Sequence, residues 1–349
     1  MTLSSASRRA RQDIDRISAS ASGAIELRTA VLERLRAAVE FDYHVWLLTD
    51  PRTTVGASPL ADIPMASELP RLIRLKYATR GGRWTALIER RPPVAVLSHA
   101  DERDPDGAPW REMLRAAGIG DVLSTVFADR FGCWGFLDLW RAGSVPFGED
   151  DRELLGYVAG AVTTALRARQ ARTFATPREV DDRDLGPMVL LLDNELRVVE
   201  QTASTDAWLR VLVPVAADRP AIPAAAYNVG AQLLAVERRV DDHHPSTRVH
   251  LAGGRWVTLR AARISDERLA VTIEDSVPAE RLDMFARSHG FTARETELLD
   301  HIAAGNDTHA IARRMLLSEN TVQDHLKSVF EKTAARNRPS LLSRALGTR

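Results

Sequence analysis

The side chains best placed to do chemistry in this sequence lie near its C-terminus, on a helical pattern opened by Ser318. Val322, Leu326, Val329 and Phe330 recur there at spacings of four, three and one, so they form a single stripe that must be buried. The opposite side keeps Asn320, Gln323, Asp324, Lys327 and Glu331. A helix fits the major groove of B-DNA, and the amide of Asn320 or Gln323 can pair with adenine N6 and N7. Lys327 can reach guanine N7 or O6, or a phosphate. Asp324 could accept from cytosine N4, or instead hold Lys327 or Arg336 at the groove edge; both readings stay open.

Charge distribution supports the same location. The 349-residue chain carries 47 Lys plus Arg and 47 Asp plus Glu, which excludes a protein acting through bulk electrostatics. Any nucleic-acid site must therefore be local. From Arg287 onward ten basic residues face seven acidic ones, and after Ser318 six face three. Lys332, Arg336 and Arg338 cluster at the end of the helix, where a nucleic-acid backbone would pass.

Three further helical patterns position this one. Thr292 and Glu295 have capping-box spacing, Leu298, Leu299, Ile302 and Ala303 share a face, and Gly305 is a stop. Asn306 or Asp307 caps the next helix, whose inward face is expected to carry Ile311, Met315 and Leu316. Only Leu317-Ser318 separates it from the helix described above, so the two must cross sharply as a helix-turn-helix.

Over Phe291 to Leu346 these residues resemble the LuxR-type helix-turn-helix family. The specific pieces are Thr292-Ala293-Arg294-Glu295, Ala304-Gly305, Ile311-Ala312, Ser318, Thr321-Val322, His325-Leu326 and Asn337-Arg338. The resemblance implies that Thr321, Gln323, Asp324 and Lys327 approach bases or phosphates. It also implies a last helix, opened by Pro339 and running through Leu341, Leu342 and Leu346, that can serve in dimer contacts. One departure is Ala334, where the family usually ends the recognition helix with Gly. An alanine held at positive φ costs on the order of 1 kcal/mol, which weakens the carry-over of phosphate roles to Arg336 and Arg338.

Upstream, a helix over Glu26 to Glu40, strands at Tyr43 to Leu48 and Thr53 to Ala57, and helices near Leu69 and Trp110 precede two long β segments. These, VLSTVFAD and CWGFLDLW, flank Arg130-Phe131-Gly132 and read as a hairpin. A helix from Asp150 to Arg172 closes the region. This order, with the wording PFGEDDRELLGYVAGAVTTAL, resembles a GAF domain, a small-molecule sensing module on an antiparallel sheet. Later, VLLLDNELRVVEQTASTDAWL resembles the opening of a PAS domain, with strands at Ser246 to Leu251, Arg255 to Arg263 and Arg268 to Glu274. The expected organisation is a flexible tail over 1–22, a GAF-like domain over 23–172, a linker over 173–187, a PAS-like domain over 188–276, a linker over 277–290 and the helix-turn-helix domain over 291–346. The fold class is thus multidomain α+β: two sensor-type domains of antiparallel sheet with helices, then an all-α four-helix domain.

The remaining reactive residues read as structure. Cys133, the only cysteine, lies in an apolar strand and is expected to be a core thiol. Trp134, Phe136 and Trp140 alternate on one face of that strand and are read as core, although in a sensor such a face can also line a ligand cavity. His325 is expected to pack, and His243-His244 beside Asp241 and Asp242 to be a solvated loop able to catch a metal adventitiously. No GxxxxGK[ST], GxGxxG after a strand, HExxH or GxSxG occurs, so neither an enzyme nor a cofactor is expected. No apolar run reaches the roughly 18 residues of a membrane span, and the single cysteine suits a reducing cytoplasm. Together these features point to a cytoplasmic regulator of DNA-templated transcription, with double-stranded DNA, RNA polymerase and an unidentified small-molecule effector as partners and a homodimer as its state. The alternative is a small-molecule-binding or protein-docking sensor, or an enzyme, that uses the helical tail only to dimerise.

Overall fold

The computed structural model describes residues 5–81, 83–99, 106–175, 188–212, 223–251 and 255–347. It contains two five-stranded sheets with helices and a C-terminal group of helices. Where a flexible tail over 1–22 was expected, α1 (Ser5–Ser20) forms, because Ala10 and Ile14 share a buried face. It packs with α2 (Ala24–Arg36). Next come β1 (Tyr43–Thr49), β2 (Gly56–Asp62), α3 (Leu69–Ala78), β3 (Val94–Val96), α4 (Ala108–Ala116), β4 (Ile119–Asp129), β5 (Gly132–Ala142) and α5 (Glu149–Arg172). The strands order as β2-β1-β5-β4-β3, with antiparallel neighbours. The expected hairpin is β4–β5, and its turn ends on Gly132 at φ 141, where a Cβ would lie 2.3 Å from the Pro51 carbonyl oxygen. Only glycine fits there. Cys133 is buried, and burial pushes its thiol up to about 11, in keeping with a core role.

The second sheet holds β6 (Met188–Asp193), β7 (Val198–Gln201), β8 (Ser246–His250), β9 (Trp256–Ser265) and β10 (Arg268–Asp275), ordered β7-β6-β10-β9-β8. Two helices, α6 (Thr205–Leu212) and α7 (Ala224–Glu237), fall between β7 and β8. The sequence pattern gave no sign of α7, because it is apolar all round and shows no amphipathic stripe. The structure supplies the reason: it is covered on two sides. It packs on α3 and β2, while a Cβ at its Gly230 would sit 3.0 Å from Leu196 and 3.2 Å from Leu192 of the second sheet's β6 hairpin. The turn expected at Gly253-Gly254 and most of the 173–187 linker lie outside the described residues.

The chain divides into two compact units: Met1–Leu166 with Asp184–Val249 and Thr258–Glu274, and Arg167–Arg183 with His250–Val257 and Asp275–Arg349. Both sheets thus share the first unit, joined by charge pairs cut off from water. Arg248 donates to both carboxylate oxygens of Asp50, at 2.6 and 2.8 Å. Arg83 lies 3.0 Å from Asp241 and donates to the Tyr77 carbonyl and to Gln232. The loop expected to be solvated therefore holds the Asp241 side chain only 4% exposed, in a half-buried residue. Asp241, Asp242 and His243 come within reach of one metal ion, but Asp241 is already engaged by Arg83 and by His243 Nδ1 at 2.6 Å.

In the second unit the expected 277–290 linker is instead α8 (Pro278–Ser288), because Met284 and Phe285 bury almost fully. Phe285 meets Phe174 edge-on at 5.2 Å, and Phe174 stacks on Trp256 at 5.1 Å. Four helices follow: α9 (Ala293–Ala303), α10 (Thr308–Met315), α11 (Glu319–Thr333) and α12 (Arg338–Leu346). No helix among the described residues is long and apolar enough to cross a membrane.

Candidate nucleic-acid interface

Each of the helices α9 to α12 is opened by a cap that local chemistry favours. Thr292 Oγ1 accepts from the Glu295 N–H at 3.3 Å while Glu295 accepts from the Thr292 N–H at 2.6 Å, which satisfies two first-turn donors at once. Asp307 accepts from the Ala310 N–H at 2.7 Å, Ser318 from Thr321 at 3.1 Å and Asn337 from Ser340 at 2.8 Å. Asp307, not Asn306, is thus the α10 cap. These caps fix where α10 ends and α11 begins, and so which face of α11 is left free.

Between the two helices the chain turns through Leu316 at φ 55. Leu316 was expected on the inward face of α10. Instead its left-handed backbone throws the side chain outward, 91% exposed. Ile311, Ala312 and Met315 make the α10 core face. On α11 the buried set is Val322, Leu326, Val329 and Thr333, with Phe330 only half-buried. The spacing of the first three continues at Thr333, one turn beyond Val329, which tips Phe330 toward the rim.

The exposed side of α11 carries Asn320, Gln323, Asp324, Lys327 and Glu331. Among the described residues, no hydrogen bond or ion pair within the chain engages the side chains of Asn320, Gln323, Asp324 or Lys327. Thr321 is half-buried and its hydroxyl lies 2.8 Å from Ser318 Oγ, so it belongs to the cap. His325 is half-buried. Gln323, Lys327 and Glu331 line a shallow open groove with Leu326 and Phe330.

The three basic residues expected at the backbone separate. Lys332 donates to Glu295 at 2.6 and 2.8 Å and to the Gly290 carbonyl at 3.3 Å. Ser328 adds a bond to the same carboxylate at 2.6 Å. Burial alone would raise the Glu295 carboxyl, but these bonds and the Thr292 N–H outweigh it and hold the group at about 2. Arg338 is also turned inward, donating to the Asn306 carbonyl at 3.1 Å and to Thr308 Oγ1 at 2.9 Å. Arg336 is exposed. Between them lies Ala334 at φ 51, so alanine adopts the conformation for which glycine would be the relaxed choice. Two cations went unassigned by spacing, Arg313 and Arg314 of α10, both exposed. Their adjacency in the sequence was the available signal.

Residues 289–345 match the sequence profile of the bacterial regulatory proteins, luxR family. A CsgBAC operon transcriptional regulatory protein from Escherichia coli (strain K12) is 43% identical over 52 residues, 15% of this chain and 24% of that protein. The transcriptional regulatory protein DesR from Bacillus subtilis (strain 168) is 27% identical over 86 residues, 23% of this chain and 43% of DesR. The chain therefore spans less than half the length of these curated relatives. A crystal structure of Escherichia coli SdiA covers 97% of this chain and 97% of its own at 14% identity, with a TM-score of 0.37, a level at which no common fold is read. The C-terminal segment is thus a LuxR-type helix-turn-helix domain.

Proposed function

We propose that the chain is a sequence-specific DNA-binding transcriptional regulator in which α11 enters the major groove and the sheet-bearing unit modulates that binding. The observation that carries this reading is the division of α11 into two faces. One face is committed to the core, and the other presents two amides, a carboxylate and an ammonium with no partner among the described residues. Asn320 and Gln323 read base edges, Lys327 meets a guanine or a phosphate, and Asp324 sets the groove edge or accepts from a cytosine. Arg336, with Arg313 and Arg314, supplies backbone contacts. Lys332 and Arg338 contribute by fixing the helix end. The first sheet with its helices acts as a GAF-like sensor over 23–172 and the second as a PAS-like one over 188–276. A homodimer would place two recognition helices on successive half-sites, since one helix contacts few base pairs.

Fluorescence anisotropy of the full chain on DNA from its own upstream region, across a salt series, tests this directly. Saturable binding that weakens steeply with salt is the expected result. Replacing Gln323 and Lys327 together with alanine should lower affinity about 100-fold, taking roughly 1 to 3 kcal/mol for each base contact. Affinity unchanged by the double substitution would overturn readout by α11.

A further inference from the structure

Of the 47 lysines and arginines in the chain only three are lysines: Lys76, Lys327 and Lys332. An arginine guanidinium keeps its proton in a protein, whereas a lysine can release one and become an amine nucleophile. Amine chemistry on the side chains is therefore confined to three positions, all of them among the described residues. Two are held by the fold. Lys76 lies 3.0 Å from Asp138, with the two side chains 9% and 5% exposed, and its ammonium stands 4.2 Å from the Trp110 ring centre. The Lys332 side chain is 32% exposed, but its ammonium donates to both oxygens of Glu295, at 2.8 and 2.6 Å, and to the Gly290 carbonyl at 3.3 Å. An ammonium has three donors, and these bonds take all of them.

Lys327 is held by nothing comparable. It is exposed, and no hydrogen bond or ion pair engages its side chain among the described residues, although Asp324 three positions before it and Glu331 four after it have the spacing to pair. A shallow open groove of about 330 Å³ runs beside it, with Leu326, Phe330 and Ala335 as its apolar part. The same ammonium is the one cation on the face of α11 that carries Asn320, Gln323, Asp324 and Glu331. Without its charge, that face would meet DNA with two carboxylates and no cation.

We propose that Lys327 is an acyl-acceptor site, modified on Nζ by a small activated acyl donor, an acyl phosphate or an acyl thioester, and that the modification withdraws α11 from DNA. The second half rests on the reading of α11 as the groove helix. In the transfer, the lone pair of the unprotonated amine attacks the acyl carbon and a C–N bond forms. The C–O bond to phosphate, or the C–S bond to the thiol, breaks and its electron pair leaves with phosphate or thiolate. One amine proton passes to solvent. The product is a neutral amide, so a donor to guanine or phosphate loses its charge, and the face changes from one cation against two carboxylates to two carboxylates alone. A short acyl chain has the apolar part of the groove to lie against. Selectivity needs no recognition motif, because the other two amines are occupied by their own carboxylates.

The test treats the full chain with acetyl phosphate in one arm and acetyl-coenzyme A in another, and reads the acetylation of each lysine by peptide mass spectrometry. Lys327 should be modified at least about 10-fold faster than Lys76 and Lys332 by one donor or both, since breaking charge-assisted bonds slows the other two, and the donor that acts fixes the class. In urea the three lysines should react alike. Equal rates at the three in the folded chain, or no modification of Lys327 by either donor, overturns the site. On DNA from the chain's own upstream region, the acetylated protein should bind about 10-fold more weakly, as loss of one base contact implies, and bound DNA should slow acetylation of Lys327. Lys327→Arg keeps a cation and takes no acyl group, so its affinity, at whatever level, should not change on treatment. A treated Lys327→Arg chain that loses affinity places the effect elsewhere and overturns the switch. Selective acetylation of Lys327 with affinity unchanged leaves the acceptor site standing and removes Lys327 from the DNA contact, so the two readings fail separately.

Discussion

Asp138 and Glu295 are both carboxylates held almost out of water, with side chains 5% and 4% exposed, and each has a lysine beside it. Their surroundings differ. Glu295 receives bonds from Lys332, Ser328 and the Thr292 N–H, so its lone pairs are spoken for. Asp138 has Lys76 on one side and open space on the other. A buried charge whose hydrogen bonds are completed by the chain is scaffold, whereas one completed only in part keeps acceptor capacity beside the cavity it lines. The distinction also sorts the cations. Lys332 and Arg338 are used up internally, whereas Lys327 has no hydrogen bond or ion pair among the described residues.

The largest effect should come from dismantling the completed site. Glu295→Ala removes a cap and leaves Lys332 without its carboxylate, and should cost the C-terminal domain on the order of 3 kcal/mol in chemical denaturation. Acid should reach the same interaction. The folded carboxyl sits near 2, below its ordinary value of 4.5, so its stabilising contribution is complete above about pH 4.5 and is lost as pH falls through about 2. Thermal melts from pH 5 to 2 should therefore be flatter in Glu295→Gln than in the parent chain. Flat melts in both would break the comparison.

Next in size is the contrast between the two lysines. Lys332→Ala should lower stability by about 2 kcal/mol, as loss of charge-assisted bonds does, and leave the salt dependence of DNA binding unchanged. Lys327→Ala should do the reverse, with stability intact and the salt slope reduced by about one if it holds a phosphate. A salt slope that falls with Lys332 would return that residue to the interface.

A smaller gain is expected at the turn before α11. Leu316 has φ 55 and is 91% exposed, so Leu316→Gly removes backbone strain and almost no packing, and should stabilise the domain by about 1 kcal/mol. The smallest change belongs to the incomplete site. Trp140→Phe removes a donor that has no acceptor, so stability of the unliganded chain should stay within about 1 kcal/mol of the parent. A loss as large as that of Glu295→Ala would mean that Trp140 is scaffold after all.

What the sequence disclosed follows the same line. Caps, the Gly132 hairpin and the buried Val322, Leu326 and Val329 of α11 are local patterns, and each appears where spacing placed it, while Phe330 of the expected stripe is only half-buried. Strands β8, β9 and β10 of the second sheet were legible for the same reason, within a residue or two at their ends. What stayed hidden depends on distant partners. Lys332 and Arg338 look like phosphate ligands until Glu295 and the Asn306 carbonyl are seen beside them, and Leu316 looks inward until its φ is known. Helix α7 shows no stripe because both its sides are covered. Phe136 and Trp140 were seen to share a face, but Asp138 between them gains its meaning only once α3 lays Lys76 across it.

The bidentate contact of Arg248 with Asp50 has a practical consequence for anyone wishing to transplant these modules. Written out, the two sheets look like separable cassettes, with a natural cutting point in the acidic stretch between them. Severing them there would strand a guanidinium on one fragment and a carboxylate on the other, each shaped to a partner it no longer has. A chimera that joins the sheet-bearing unit to another domain should therefore carry both sheets as one part and make its junction after the second.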